Sequence, residues 1–319
     1  MQAFARRAVS GFGVVLGVVT LMFALLRLAP GDPALLLVGP TATAEQVTAQ
    51  RHALGLDRPL PAQYAAWLGR FARGDWGTSI ATGRPVRAML AQAWPATVRL
   101  VGLSLVLSYL IGIAVGAIQA ARNGRLDTAL SIATVTLFAL PGYWLGLMLV
   151  MVFTYRLRWL PAFGAAGFDA DFLSPAGRLA DRLRHLTLPL ATLTLVGVGG
   201  TARFVRGAML DVAGAPFVTV ARAKGLSERR VTLRHVLRNA LIPVLTVTSL
   251  QVGFLLVGTV LVEYTLGLGG LGSLITDSIQ NRDYPVIQGT VLFLTVAFVL
   301  INLVTDLLYA WIDPRVSLD

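Results

Sequence analysis

Six uncharged and mostly apolar stretches alternate along the chain with segments in which arginine, proline and glycine are frequent. A helix needs roughly 17 to 25 residues to cross the hydrocarbon core of a bilayer, and each stretch is near that length. The pattern therefore predicts six membrane-spanning helices in an all-α membrane protein. They lie at residues 8–26, 100–121, 128–155, 186–202, 239–262 and 286–305.

The first stretch follows Arg6 and Arg7, as the apolar core of a secretory signal does. Its 19 residues exceed the roughly 7 to 15 of such a core. Pro30 and Gly31 follow it, where a cleaved signal would have a small-x-small site. We therefore expect a first helix that is retained.

Composition and charge support a membrane protein. Of the 319 residues, 55% are hydrophobic and 13% are charged, and the mean hydropathy is +0.71. These values exclude a soluble enzyme. The net charge of +11 could indicate a nucleic-acid partner, but the basic residues follow the predicted topology instead.

With the N-terminus inside, the inner segments hold 13 of the 27 basic residues in 63 positions, and the outer segments hold 14 in 126 positions. The outer segment 27–99 is longer than the loops to which the positive-inside rule applies, and without it six basic residues remain outside. Both termini are therefore predicted to lie inside. The charge then reflects topology, not affinity for nucleic acid.

Two segments outside the predicted spans are too long to be turns. Residues 29–98 contain a short amphipathic helix near residues 62–71, which suggests a small docking surface. Residues 203–238 carry eight basic residues and a helix-forming run at 217–224. Gly225 follows this run at a position that suits a helix C-cap. An ordinary outer loop and a solvated basic linker are the alternatives.

Helical spacing predicts one shared face on the short inner helix, able to sit in a groove of another protein. Its members are Phe217, Val220, Ala221 and Lys224.

The sequence lacks the usual catalytic motifs. Lys224 is the only lysine and is not part of a phosphate-binding loop, and the chain contains no cysteine. The three histidines do not have metal-ligand spacing. We expect no catalytic residue, cofactor or metal in this chain. Charged residues near span ends are expected to snorkel or to pair between helices; they are Arg27, Arg203, Arg206, Glu263 and Asp306.

Polar and aromatic residues of the third and fifth spans are candidates for lining a pathway, with helix packing as the alternative. They are Tyr143, Trp144 and Gln251. Glycine and proline within spans allow helices to approach closely or bend. They are Gly112, Gly116, Pro141, Gly142, Gly146, Pro189, Gly197, Gly199 and Gly200.

A series of short motifs runs almost from end to end. The motifs are Pro30-Gly31-Asp32-Pro33, residues 54–60 (LGLDRPL), 74–79 (GDWGTS), 94–97 (WPAT), 158–161 (RWLP), 221–226 (ARAKGL), 234–243 (RHVLRNALIP), 281–289 (NRDYPVIQG) and 313–315 (DPR). In these motifs the chain resembles the permease subunits of bacterial ABC importers of the dipeptide, oligopeptide and nickel family, and specifically the first permease of the pair.

The resemblance implies a type I importer permease fold and an inner loop that carries an ATPase-coupling helix. In the family this helix carries the sequence Glu-Ala-Ala, followed by three residues and a glycine. When that glycine is aligned with Gly225, Thr219, Val220 and Ala221 occupy the first three positions. The glutamate and the first alanine of the motif are therefore absent from this chain. The implied coupling residues are Phe217, Val220, Ala221, Ala223, Lys224, Gly225 and Leu226.

The resemblance also implies partners. They are a second homologous permease, two ATPase subunits that hold ATP and magnesium, and an extracytoplasmic binding protein, assembled in the bacterial cytoplasmic (inner) membrane. The expected divisions are residues 1–98, a core at 99–312 with the coupling loop at 203–238, and a tail at 313–319.

Peptides are the expected substrate because segment 156–185 is long, as in many peptide permeases. Nickel or another chelated metal is the alternative within the family. A stand-alone channel or secondary carrier is the alternative from another class, and a membrane-bound enzyme has no catalytic residues to support it.

Overall fold

A computed structural model of the protein describes residues 2–28, 33–39, 41–122 and 124–312, and this part of the chain is built from helices. The predicted tail at 313–319 lies outside it. The α-helices are α1 (Gln2–Leu28), α2 (Pro33–Val38), α3 (Ala44–Ala53), α4 (Leu60–Ala72), α5 (Val86–Ala121), α6 (Arg125–Ala139), α7 (Gly142–Val150), α8 (Pro175–Ala213), α9 (Pro216–Ala223), α10 (Glu228–Arg230), α11 (Arg238–Leu266), α12 (Leu271–Gln280) and α13 (Tyr284–Ile312). Two π-helices, Met151–Arg156 and Val231–Leu237, and a 3₁₀ turn, Ala170–Phe172, complete the set.

Within the described ranges, three helices are long and apolar enough to cross a bilayer, and up to five are if each of two bent pairs forms one span. The three are α5, α8 and the Tyr284–Thr305 part of α13. Helix α1 contributes a shorter apolar segment, Val9–Leu25. The all-helical membrane fold is thus confirmed, whereas six spans and an inside N-terminus stay predictions.

The third predicted span is broken in the structure. Helices α6 and α7 meet at an angle of 106°. Leu140 lies between them with φ −75° and ψ 137°, and Pro141 follows. Proline disfavours the α conformation in the residue before it, which explains the break at this point. A single helix over 128–155 was therefore the wrong expectation.

Helix α8 extends beyond the predicted fourth span at both ends. The Ser174 side chain accepts a hydrogen bond from the Gly177 backbone N–H at 3.2 Å, and Pro175 occupies the first helical position. Both features favour a helix start. Part of the predicted outer segment 156–185 and the beginning of the inner segment 203–238 are consequently helical.

The described residues form two compact units. The first comprises residues up to 93 together with Leu274–Val299, and the second comprises the chain from Trp94 to Ser273 and from Leu300 onwards. The expected first division, residues 1–98, does not include the segment Leu274–Val299, which belongs to the first unit in the structure. The expected divisions stay predictions.

Asp283 stabilises the turn at residues 79–81 in the first unit. Its carboxylate accepts hydrogen bonds from the Ser79 hydroxyl at 2.5 Å and from the backbone N–H groups of Ile80 at 3.1 Å and Ala81 at 3.3 Å. The side chains of Ser79 and Asp283 are both buried. A buried carboxylate needs such donors, and here they hold residues 79–81 against the start of α13.

In the second unit, small residues bring α5 and α8 into close contact. A Cβ atom added at Gly116 would lie 2.5 Å from the carbonyl oxygen of Ala202, and one at Gly112 would lie 2.6 Å from Cβ of Thr201. A Cβ at Gly197 would lie 2.8 Å from Cβ of Ser108. The sequence predicts close helix approach at these glycines, and the structure shows which helices they join.

Glu263 supports the turn between α11 and α12, which are bent by 78°. Its buried carboxylate accepts a hydrogen bond from the Gly272 backbone N–H at 2.7 Å, and the Thr97 hydroxyl oxygen accepts one from Leu271 N–H at 2.8 Å. Glu263 was expected either to snorkel or to pair between helices, and its burial contradicts snorkelling. Its carboxylate accepts from a backbone N–H in the first turn of α12, where a helix leaves N–H groups without an acceptor of its own.

The other charged residues near span ends differ in their surroundings. Arg206 forms a two-pronged ion pair with Asp127 on α6, with N–O distances of 3.0 and 2.9 Å. This pair confirms the expectation of pairing between helices. The guanidinium of Arg203 lies 5.1 Å from the ring centre of Phe138, and that of Arg27 lies 5.1 Å from the ring centre of Phe23. The side chain of Asp306 lies outside the described part.

Candidate functional site

The short helix expected in the inner segment is α9. Pro216 occupies its first position, where a missing N–H costs nothing. At the other end Gly225 has φ +75°, and its N–H donates to the Arg222 carbonyl at 2.9 Å. The Leu226 N–H donates to the Ala221 carbonyl at 3.4 Å. These two bonds form a Schellman motif, so the predicted stop at Gly225 is confirmed.

Helix α9 is anchored in a hydrophobic cluster of the second unit. Val218 and Ala221 are its buried residues, and Leu226 packs against the same cluster from beyond the helix end. The cluster contains Val205 and Met209 of α8, Val218 and Ala221 of α9, Val231 and Val236 of the second π-helix, and Ala240 and Val244 of α11. The helix therefore packs firmly against its own chain.

The opposite side of α9 presents apolar groups to the surroundings. Phe217 is 44% exposed and Val220 is 52% exposed, and Ala223 and Lys224 are exposed as well. We call Phe217, Val220, Ala223 and Lys224 the outer face of α9. The predicted grouping of Ala221 with Phe217 and Val220 is wrong, because the cluster below the helix takes Ala221.

Basic residues lie within α9 and in the segment that follows it. Arg222 pairs with Glu228 at 2.9 Å, and both side chains are largely exposed. Lys224, Arg229 and Arg230 are exposed too, and among the described residues none of these three has an acidic partner. Exposed apolar side chains on a helix that also carries exposed basic residues have the chemistry of a protein-docking surface, since interface centres are apolar and rims are polar.

The second π-helix, Val231–Leu237, joins this region to α11. Its buried residues, Val231 and Val236, belong to the same cluster as the anchoring side of α9. π-Helical turns are rare and occur often at functional sites. Packing therefore connects α9 directly to two long helices, α8 and α11.

The pathway candidates lie on two helices. Tyr143 and Trp144 are in the first turn of α7, just after the break at Pro141, and are 43% and 42% exposed. Gln251 lies on α11, and its side chain is outside the described part. That these residues line a pathway stays a prediction.

Sequence reasoning missed two features of this region. One is the role of Val218 in anchoring α9. The sequence indicated this anchored side only through its apolar residues Val218, Ala221 and Leu226. The other is the buried carboxylate of Glu263, for which two glycines close behind it, Gly270 and Gly272, were the signal. A Cβ at Gly270 would lie 2.6 Å from the hydroxyl oxygen of Thr97.

Two family models match the chain and together cover most of it. Residues 108–318 match the binding-protein-dependent transport system inner membrane component. Residues 1–101 match the N-terminal part described for membrane components of the same systems.

Curated relatives are similar over nearly the whole length. A probable peptide ABC transporter permease protein of Sinorhizobium fredii is 38% identical over 98% of this chain and 97% of its own. The glutathione transport system permease protein GsiC of Salmonella typhimurium is 39% identical with the same coverage. The oligopeptide transport system permease protein AppB of Bacillus subtilis is 36% identical over 98% of both chains.

Solved structures share the fold at low sequence identity. A chain of the MetNI methionine ABC transporter, described in inward-facing conformations, matches with a TM-score of 0.58 and 17% identity. The match covers 72% of this chain and 98% of that one. The fold is therefore that of an ABC importer permease.

Proposed function

The chain belongs to the family of binding-protein-dependent transport system inner membrane components, and from that premise we propose that it forms half of the translocation pathway of an ATP-driven peptide importer. It is a transport component of the inner membrane. In the proposed assembly it pairs with a second homologous permease. An extracytoplasmic binding protein delivers the solute.

The observation that carries the proposal is the outer face of α9. Phe217 and Val220 are exposed there, although the same short helix is anchored by Val218 and Ala221 in the cluster with α8 and α11. An exposed apolar pair on a firmly packed helix suits a groove of a partner protein. We assign this groove to one of two separate ATPase subunits, which hold the ATP and magnesium.

The proposed mechanism is mechanical. Closure of the ATPase pair on ATP moves the two subunits together, and each carries the coupling helix that it holds. A partner can shift a two-state bundle only through contacts that differ between the states. Because α9 shares its hydrophobic cluster with α8 and α11, displacement of α9 acts on both helices and changes which side of the pathway is open.

Peptides are the proposed substrate class. The relatives described above are named for peptides, glutathione and oligopeptides, and glutathione is itself a small peptide. This agreement favours peptides over nickel or another chelated metal. Selection among peptides is assigned to the binding protein, which meets the solute first.

The test replaces the outer face of α9 without touching its anchor. Full burial of a Phe or Val side chain contributes about 1.5–3 kcal/mol, so Phe217→Ala with Val220→Ala should weaken ATPase binding by at least about tenfold. Phe172→Ala is the matched control, because Phe172 is 91% exposed and lies in the segment between α7 and α8. Both variants are reconstituted in liposomes with the partner subunits.

We expect ATP-dependent peptide uptake to fall with the double substitution and to remain with Phe172→Ala, while both proteins insert equally. Normal uptake and normal ATPase binding by the double variant would refute the coupling role of α9. Peptide uptake into liposomes by this chain alone, without ATP, would instead favour a stand-alone carrier.

A further inference from the structure

A cavity of about 270 Å³ lies within the first unit, lined by the end of α1, by α4 and the turn after it, and by the start of α13. Four of its five aromatic lining residues, Phe23, Trp67, Phe71 and Trp76, form one wall. The ring centres are 5.8 Å apart for Phe23 and Trp67, 5.8 Å for Trp67 and Phe71, and 4.9 Å for Phe71 and Trp76. These are favourable aromatic contacts, so the wall is a row of mutually supporting rings.

Three charged side chains also line this cavity: Arg27, Arg70 and Asp75. Within the described ranges, neither guanidinium group forms an ion pair with a carboxylate. Asp75 accepts a hydrogen bond from the Gly77 backbone N–H through Oδ1 at 3.1 Å, which leaves Oδ2 available. Guanidinium groups bind phosphate with two parallel hydrogen bonds.

The cavity lies at the end of an apolar helix. Arg27 is in the last turn of α1, directly after the apolar segment Val9–Leu25. Leu25 and Leu28 on the same helix are exposed. In an inner-membrane protein, apolar side chains of this kind face lipid tails, and a terminal arginine lies among the headgroups. Tryptophan is enriched at the same level.

We propose that this cavity binds the headgroup of a phospholipid, with the phosphate on Arg27 and Arg70 and the ammonium group of ethanolamine beside Asp75 and the tryptophan rings. The volume is slightly below the roughly 300–1,000 Å³ of drug-sized ligand pockets. It can take a headgroup but not acyl chains, which remain outside along the exposed leucines of α1.

The lining favours a zwitterionic headgroup over an anionic one. Two cations and one carboxylate match a phosphate joined to an ammonium group, and aromatic faces attract such a cation. Phosphatidylglycerol offers Asp75 hydroxyl donors but no positive charge, so the carboxylate lacks the charge-assisted partner that an ammonium group provides. Phosphatidylethanolamine is therefore the assigned ligand.

The experiment measures lipid retention by native mass spectrometry of the assembled transporter, with equal amounts of phosphatidylethanolamine and phosphatidylglycerol added in detergent. The double substitution Arg27→Gln with Arg70→Gln should weaken phosphatidylethanolamine binding by about tenfold or more, because each charge-assisted hydrogen bond is among the stronger ones. Arg73→Gln is the matched control. Arg73 follows α4 directly and does not line the cavity.

Asp75→Asn tests the assigned headgroup separately. Asparagine retains the oxygen that accepts the Gly77 N–H but removes the charge. We expect the preference for phosphatidylethanolamine over phosphatidylglycerol to fall to about one, with phosphatidylglycerol still bound. This variant keeps the proposal testable if the double arginine variant does not fold.

Three results would overturn the proposal. The first is unchanged retention of phosphatidylethanolamine in the double arginine variant or an unchanged lipid preference in Asp75→Asn. The second is displacement of the lipid by water-soluble glycerophosphoethanolamine at the same concentration, which would assign the cavity to a soluble ligand. The third is a double variant that retains lipid but no longer binds the binding protein, which would assign the cavity to protein docking.

Discussion

Substitution of Gly116 by alanine tests the close contact between α5 and α8. The added Cβ would lie 2.5 Å from the Ala202 carbonyl oxygen and 2.8 Å from Cβ of Val205, whereas ordinary contacts begin at 3.4 Å. The two helices would therefore have to separate locally by about 0.9 Å to relieve the closer contact. Overpacking of this kind costs about 1–3 kcal/mol.

Gly102→Ala on the same helix is the control, because no atom of the described residues lies within 4 Å of a Cβ at that position. Both substitutions gain the higher helix propensity of alanine, up to about 1 kcal/mol, so their difference isolates the contact. An unfolding entropy of about 2.1 cal/mol/K per residue gives a chain of this length about 0.7 kcal/mol/K. Each kcal/mol then lowers the melting temperature by about 1.5 °C.

The assay is thermal unfolding of the purified chain in detergent, followed by tryptophan fluorescence. We expect Gly116→Ala to melt about 1.5–4.5 °C below Gly102→Ala. Equal melting temperatures, or a higher one for Gly116→Ala, would show that α5 and α8 do not pack as closely as described.

Three further predictions concern the turns. Gly225→Val should impair uptake and destabilise the chain by about 1–2 kcal/mol, because a β-branched residue is strained at φ +75°; Gly225→Asn should be milder in the same uptake and melting assays. Gly270→Ala should destabilise by about 1–3 kcal/mol, because a Cβ there would lie 2.6 Å from the Thr97 hydroxyl oxygen; a melting temperature equal to wild type would contradict this. Asp283→Ala should accelerate amide hydrogen exchange at residues 80 and 81 by about tenfold or more, since their acceptor is lost, and unchanged exchange would refute its role.

The lengths of the apolar stretches were enough to locate the long helices but not their breaks. Pro141 and Pro189 both lie within apolar stretches, yet the chain breaks at Pro141 and α8 continues through Pro189. The residue before proline is biased away from the helix in both cases. What differs is burial, because Pro189 is buried within α8 whereas Pro141 is exposed.

The sequence predicted where helix α9 ends but not which side of the helix is buried. Gly225 has a local reason to end α9, since glycine tolerates the left-handed conformation, and local reasons are visible in sequence. The side of α9 that faces inward depends on Val205, Val231 and Val244. They share one cluster with Val218 although they are 13 or more residues away in the sequence, and helical spacing does not encode such separations.

The close contact between α5 and α8 has a consequence for the order of assembly. Residues of α5 are synthesised well before those of α8, so the face that carries Gly112 and Gly116 enters the membrane before its partner exists. Until α8 arrives, the Ser108 hydroxyl also lacks the Thr194 carbonyl to which it donates at 3.2 Å. A chain truncated before α8 therefore leaves the glycine-lined face of α5 and the Ser108 hydroxyl without the helix that covers them in the complete chain.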